Sequence, residues 1–251
     1  MRIGILSDAH ANHSALESCV AALQKREGVE RFVFLGDAVG YLSEPNEVIE
    51  LLRQIEATCL MGNHDAMVLG RLPSSPRLEQ SARVSETRSM LTAENRDFLE
   101  SLEPSWSTRL DGLRVLFVHG GPGDELQRYV YPDSDLSDFE STAYDLICMG
   151  HTHRPFIRPF GNPTVEDRSP GDRLPEVRLA VNVGSCGLPR DHGGLASAAI
   201  YDSDTRGIEI VRTRIDTRDA TRRNLGKAAP EILAVFERRT TDWVGRMVSD
   251  E

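Results

Sequence analysis

Two histidines stand two positions apart in "DLICMGHTHRP", where His151 and His153 follow an apolar run closed by Gly150. One imidazole at the end of a strand is ordinarily a polar-tipped filler with a backbone partner. A pair does chemistry only if other segments bring complementary ligands to the same place. Four other apolar runs also end in such residues: Asp8 and His10 in "LSDAH", Asp37 in "LGDAVG", Asn63, His64 and Asp65 in "MGNHD", and His119 in "VHGGP". Five of the seven histidines fall in these clusters, and only His13 and His192 lie outside them. Structural histidines would scatter over helices and surface, so this concentration points to a shared site.

The candidate ligands Asp8, His10, Asp37, Asn63, His119, His151 and His153 offer carboxylate, imidazole and carboxamide oxygen without thiolate. That set suits manganese, iron, zinc or nickel better than a structural zinc knot. It exceeds what one ion uses, which implies two divalent ions. Two ions roughly 3.5–4 Å apart can share a carboxylate and a water, acidify that water to hydroxide and clamp phosphate oxygens during in-line displacement. Hydrolysis of phosphate esters is the chemistry that most needs this arrangement.

The elements that must position these residues begin with short β-like runs alternating with helical patterns. "RIGILS" is followed by apolar residues at helical spacing in "HSALESCVAALQKREG", then by "RFVFLG", by "EPNEVIELLRQIEA" with Pro45 suited to a first helical turn, and by "ATCLMG". Strands alternating with helices imply βαβ units, and the carboxyl ends of strands in an open α/β sheet form one rim. The five polar clusters should converge on that rim. Between Ala66 and Gly112 the pattern turns helical and polar, predicting two helices, "SPRLEQSARVSETRSML" and "TAENRDFLESL", in a cap-like insertion. Strand character returns in "LRVLFVHG", "YDLICMG" and "EVRLAVNVGS", and in two strands around the turn of "SAAIYDSDTRGIEIVRTRI". Fewer helices separate these later strands, so mixed sheets are expected. A main domain over 1–215 and a helical C-terminal extension over 216–251 complete the division.

At 251 residues and 39% hydrophobic content the chain can bury a large α/β core. Its net charge of −10 argues against nucleic acid as a general partner, because no basic excess is available to neutralise phosphates. The four cysteines, Cys19, Cys59, Cys148 and Cys186, lack C-x-x-C spacing, and three sit in apolar runs that read as core. The start "MRIGILSDAH" reaches a charged residue too early for a secretory signal, and no apolar run approaches a membrane span. These features predict a soluble, cytoplasmic protein and leave its oligomeric state open.

Taken together, D-x-H at Asp8, G-D-x-x at Asp37, G-N-H-D at Asn63, the strand-end His119 and G-H-x-H at His151 resemble, in order, the five motifs of the calcineurin-like metallophosphoesterase superfamily. "GDAVGYLSEPNEVIELL", "GNHDAMVLG", "NVGSCGLPRD" and "ASAAIYD" look like its small prokaryotic phosphoesterase branch. Ala11 stands where that branch usually has Gly, and Val183 where it often has Pro. The resemblance implies an α/β fold, a four-layer α/β/β/α sandwich with two mixed central sheets. It implies Asp37 bridging two metals, with Asp8, His10 and His153 on the first and Asn63, His119 and His151 on the second. It also implies His64 as general acid or transition-state donor, oriented by Asp65. Manganese leads among the metals. The substrates implied are small phosphodiesters or nucleotide phosphoanhydrides, and some members of the branch cleave dinucleoside polyphosphates.

Alternatives differ in what they require. Protein phosphatases of this superfamily carry an arginine shortly after the bridging aspartate, where this chain has Gly40-Tyr41, and purple acid phosphatases place a tyrosine ligand where Gly40 stands. A metal-binding scaffold without turnover has no physical need for a complete second-ion set. Arg190 can reach a substrate phosphate or pair with its neighbour Asp191. Asn12 and Tyr41 can touch substrate, although an Asn after D-x-H also suits a helix cap. The run from Arg212 to Arg239 holds eight basic and four acidic residues, which reads as a solvated helix face.

Overall fold

In the computed structural model, which describes residues 1–163 and 175–248, strand side chains divide by alternation between two layers. From β1 (Arg2–Leu6), Ile3 and Ile5 enter one apolar cluster and Leu6 another. From β2 (Arg31–Phe34), Val33 faces the first cluster while Phe32 and Phe34 face the second. The same period of two splits β5 (Leu113–Val118), with Val115 and Phe117 inward and Leu116 and Val118 outward. It also splits β6 (Leu146–Met149), where Leu146 and Cys148 face inward and Ile147 and Met149 outward. A strand buried on both faces belongs in a central sheet. The inward sets meet each other, so the two sheets pack face to face.

Six strands make the first sheet, in the order β11 (Arg246–Met247), β10 (Gly207–Arg214), β9 (Leu195–Asp202), β1, β2, β3 (Thr58–Cys59). Five make the second: β4 (Ser105–Leu110), β5, β6, β8 (Leu179–Asn182), β7 (Phe156–Pro159). Both are mixed, as expected, since β1, β2 and β3 run parallel while β9 is antiparallel to β1, and β5, β6 and β8 run parallel while β4 and β7 are antiparallel. Helices α1 (His13–Glu27) and α2 (Pro45–Gln54) bury Leu16, Leu23, Val48 and Leu52 against the outer face of the first sheet. The outer face of the second is covered differently from that of the first. Among the described residues its cover is Val130, Leu136, Phe139 and Phe160, supplied by irregular chain and one 3-10 turn at Ser137–Ser141.

The 66–112 segment differs from the two helices expected in it. After α3 (Asn63–Val68) come α4 (Pro76–Ser81), α5 (Val84–Met90) and α6 (Ala93–Glu100). The break between α4 and α5 falls at Arg83, left-handed at φ 55°, because the Ala82 carbonyl accepts from Tyr41 N–H at 2.9 Å instead of continuing the helix. The end of the segment is β4, joined to β5 by Asp111-Gly112 with φ of 50° and 85°. Asp-Gly between alternating residues is a hairpin signal that the helical expectation overrode.

The C-terminal extension is helical in α7 (Thr217–Asn224) and α8 (Pro230–Leu233), then adds β11 to the first sheet beside β10. Val235, Phe236 and Val248 of this tail belong to the core under the first sheet. Residues 249–251 of the expected extension lie outside the described part.

Candidate metal centre

The ends of β1 and β6 abut so closely that a Cβ on Gly150 would lie 2.0 Å from Ser7 Oγ and 2.7 Å from an Asp8 oxygen. This contact explains the glycine before the H-x-H pair and carries the rim of one sheet onto the rim of the other. Asp8, His10, Asp37, His151 and His153 are all left-handed, with φ of 58°, 50°, 60°, 67° and 57°. Such backbone costs a non-glycine residue on the order of 1–3 kcal/mol and persists where its surroundings over-determine it. Here Asp8 N–H donates to the Gly36 carbonyl at 3.0 Å and His10 N–H to the Asp37 carbonyl at 3.0 Å, while His151 N–H donates to Asp8 Oδ2 at 3.0 Å. Ala11, which replaces the Gly of the related branch, shares this geometry at φ 57°.

Ring nitrogens then fix the chemistry. Nδ1 of His10 lies 3.1 Å from the Val39 carbonyl, and Nδ1 of His119 lies 2.9 Å from that of Leu35. His153 Nδ1 contacts the Leu188 carbonyl in the same way. A carbonyl only accepts, so each Nδ1 carries a proton and each neutral ring presents a bare Nε2. These lone pairs converge. Nε2 of His10 and of His153 are 3.0 Å apart, and His119 Nε2 lies 2.9 Å from Asn63 Oδ1 and 3.2 Å from His151 Nδ1.

Carboxylates complete both ends. Asp8 Oδ1 is 3.1 Å from His153 Nε2 and 3.7 Å from His10 Nε2. Asp37 Oδ2 lies between the two groups, 3.6 Å from His10 Nε2 and 3.4 Å from His119 Nε2. Ligand atoms of Asp8, His10 and His153 all fall within 4.8 Å of one another, as do those of Asp37, His119 and His151. Asp8 Oδ1 is buried without a hydrogen-bond partner among the described residues. Buried acceptors gathered without donors are costly unless a cation satisfies them, and imidazole nitrogen with carboxylate oxygen is a donor set that fits divalent transition ions.

Protonation follows the same logic. Burial drives His10 and His153 down, and drives His151 to about 3, so these rings are neutral. Burial works to raise Asp8 and Asp37, but His153 holds the first below the usual carboxylate range, and His119 and His64 hold the second there. At His119 burial is overcome by Asp37, which lifts the ring to about 9.

His64 sits beside these groups. Its N–H donates to Asp37 Oδ1 at 2.8 Å, and its ring lies 4.8 Å from that of His10 and 4.6 Å from that of Tyr41. A Cβ on Gly40 would come 2.7 Å from His64 Nδ1, so only glycine fits under the ring. The expected orienting contact from Asp65 is absent. Asp65 Oδ2 accepts from the N–H groups of Asp37 at 2.8 Å and Gly62 at 2.9 Å, and Oδ1 accepts from Val39 N–H at 3.2 Å. The carboxylate ties the ends of β2 and β3 together, and packing between Tyr41 and Gly40 orients His64 instead. Burial pushes His64 down to about 4 against the pull of Asp37, which makes it a neutral donor through one ring N–H.

The weaker candidates separate. Asn12 is a cap and a strap: Oδ1 accepts from Ala15 N–H at 3.4 Å at the start of α1, and Nδ2 donates to the Gly187 carbonyl at 2.7 Å. Tyr41 lies with its ring against His10 and His64. Asp191, the alternative partner for Arg190, is bound instead by Arg212 at 2.6 and 3.1 Å. Arg190 N–H donates to the His153 carbonyl at 3.2 Å, and its charge is felt at Tyr41, His64, Tyr129 and His153. The structure adds Tyr129, whose ring centroid is 3.9 Å from that of His151. Its sequence context, "RYVYPD", reads as an ordinary extended run and carries no signal of this contact.

The sequence profile of the calcineurin-like phosphoesterase superfamily domain matches residues 1–206. An uncharacterized protein of Methanocaldococcus jannaschii is 32% identical over 235 residues, covering 92% of this chain and 95% of that one. The fold is similar to the crystal structure of a metallophosphoesterase from Sphaerobacter thermophilus, with TM-score 0.75 and 28% identity over 94% of this chain and 98% of that chain. A hypothetical protein from Pyrococcus horikoshii shares the fold at TM-score 0.76 and 20% identity, covering 94% of this chain and 97% of that one. The profile match over most of the chain, the one-third identity to an archaeal relative and the convergent strand-end ligands agree: this chain belongs to the calcineurin-like phosphoesterase superfamily, whose members are metal-dependent phosphoric ester hydrolases.

Proposed function

We propose that this chain hydrolyses small phosphodiesters or nucleotide phosphoanhydrides at a dinuclear metal centre. The observation that carries the reading is the pair of Nε2 lone pairs of His10 and His153 facing each other at 3.0 Å, with Asp8 Oδ1 beside them and Asp37 leading to a second such group. Asp8, His10 and His153 would hold one ion, Asn63, His119 and His151 the other, and Asp37 both. Manganese is the first choice, with iron, zinc and nickel compatible with the donors. Two bound ions would supply Lewis acidity, neutralising phosphoryl oxygens and making water nucleophilic near neutral pH.

The chain's own groups do the rest. The backbone carbonyls of Val39, Leu35 and Leu188 hold three imidazoles in one tautomer. His64 donates its ring N–H toward the reacting phosphoryl group or the departing oxygen, and Arg190 supplies a positive charge at the rim. A dinucleoside polyphosphate hydrolase is the narrower version of this reading, while the phosphomonoesterase alternative is disfavoured because this chain lacks the arginine that protein phosphatases carry after the bridging aspartate. A scaffold without turnover does not account for His64 packed against glycine beside a complete ligand set. Four free thiols suit a reducing compartment and support cytoplasmic residence. No helix among the described residues is long and apolar enough to cross a membrane.

The test is reconstitution with manganese followed by elemental analysis and hydrolysis of bis(p-nitrophenyl) phosphate. Two ions per chain and turnover abolished by a chelator are expected. At most one ion together with chelator-insensitive or absent turnover would overturn the reading.

A further inference from the structure

Beside His151 the chain presents two tyrosines to solvent. Val130 is buried at 1% exposure in the cluster under the second sheet, while Tyr129 and Tyr131 on either side are 51% and 38% exposed. With Val130 turned inward, the rings on either side of it both face outward. The rings stack with centroids 5.9 Å apart and planes 11° apart, and Tyr129 lies against His151 at 3.9 Å.

The platform is held from behind. Arg128 donates to Asp138 at 2.6 and 3.0 Å and to the Pro122 carbonyl at 2.6 Å, with its guanidinium 4.9 Å from the Phe139 ring centre. Tyr131 N–H donates to Ser134 Oγ at 2.9 Å. Two ordered rings exposed beside a buried ligand cluster bury little of themselves in folding, and such aromatic surface marks a binding site. Arg190, anchored by its N–H on the His153 carbonyl, is the nearby cation.

We propose that Tyr129 and Tyr131 form a stacking subsite for the nucleobase of a nucleotide whose phosphate is held at the His151 end of the metal-ligand cluster. The inference rests on the phosphoesterase reading and narrows its substrates to nucleotides. A base has the flat π face that stacks on a tyrosine, and the contact of Tyr129 with His151 joins the two rings to the metal-ligand cluster. Such stacking is worth about tenfold in affinity, or about 1.4 kcal/mol.

The experiment titrates the manganese-loaded protein calorimetrically with AMP, ribose 5-phosphate and phenyl phosphate, and assays the same preparation for bis(p-nitrophenyl) phosphate turnover. AMP is expected to bind about tenfold more tightly than ribose 5-phosphate. Tyr131→Ala should remove most of that preference and Tyr131→Phe should keep it. Equal affinities in an enzyme that turns over, or a preference that Tyr131→Ala leaves intact, would overturn the subsite alone. Phenyl phosphate binding as tightly as AMP would overturn the nucleobase assignment. Loss of both turnover and phosphate binding would remove the phosphoesterase reading, and the subsite with it.

Discussion

Asp191 gives both carboxylate oxygens to the buried guanidinium of Arg212, at 2.6 and 3.1 Å, and so leaves its neighbour Arg190 without a carboxylate partner among the described residues. Arg212 also donates to the carbonyls of Leu195, Ala196 and Val244, so β10 and the C-terminal tail both fix the loop that carries Arg190. Opposite effects follow for the two neighbours. Asp191→Ala strands a buried charge and should destabilise the protein by about 3 kcal/mol in denaturant unfolding. Arg190→Ala should change stability by less than about 0.5 kcal/mol while raising KM for phosphodiesters. A large stability loss in Arg190→Ala would show that its guanidinium serves the fold.

The proposed reading gives Asp37 to the metals and proton donation to His64, and substitutions test the two roles apart. Asp37→Asn should weaken both ions and abolish turnover. His64→Ala should keep both ions and still slow hydrolysis by about 10²-fold or more when the leaving group is an alkoxide. Elemental analysis alongside kinetics decides: metal loss in His64→Ala, or an unchanged rate with an alkoxide leaving group, would sink the donor role.

Asp65 accepts three backbone N–H groups and contacts no His64 nitrogen, so its role is to close the loops. Asp65→Asn should lower thermal stability, since the amide nitrogen cannot accept and a buried N–H left without a partner costs about 1–3 kcal/mol. The pH profile of turnover should keep its shape. A shifted profile with unchanged melting would return Asp65 to the part of His64's orienting partner.

Legibility in the sequence followed the range of the physics. Ligand types and strand-end positions were readable because each cluster follows its own apolar run, and the strand alternation that buries Ile3, Ile5, Val115 and Phe117 between the sheets is local. The break at Arg83 was not, because the competing partner for the Ala82 carbonyl is Tyr41, far away in the chain. The contacts of Asp65 are hidden for the same reason: adjacency to His64 suggests a side-chain contact, whereas the carboxylate accepts from the N–H groups of Asp37 and Val39. β11 is two residues long and pairs only because β10 offers an edge, which no local pattern announces. The Tyr129 contact needs the loop after β5 folded back over β6, and "RYVYPD" contains nothing of that path.

Cys19 is fully buried, and burial pushes its thiol from 9.0 up to about 11. A group whose folded pKa is raised favours the native state below the unfolded pKa, and the benefit fades as pH rises through the folded value. For Cys19 that window is pH 9 to 11, and a shift of this size corresponds to about 2–3 kcal/mol. Unfolding free energy should therefore fall across that window and fall less steeply in Cys19→Ala. Parallel curves for the two proteins would refute the linkage.

Substrate choice depends on charge near the metal ligands more than on the ligands themselves. A monoester dianion carries more negative charge than a diester and needs cations beyond the metals. The protein phosphatases of this superfamily supply one just after the bridging aspartate, but here Gly40 and Tyr41 occupy that stretch. Gly40 lies under His64, and the Tyr41 ring packs on His10 and His64, so the stretch is filled by contacts that exclude a long cation. Arg190 is a single charge at the rim. Helices α4 and α5 lie close by, through the Ala82 carbonyl on Tyr41 N–H and Arg83 on the Leu42 carbonyl at 3.2 Å. Diesters and nucleotide phosphoanhydrides should therefore show higher kcat/KM than phosphoserine peptides or simple monoesters, with dinucleoside polyphosphates the first to compare. Faster turnover of a phosphoserine peptide than of every diester and nucleotide in one manganese-loaded preparation would refute this, and would mean that Arg190 and the metals alone suffice for a dianion.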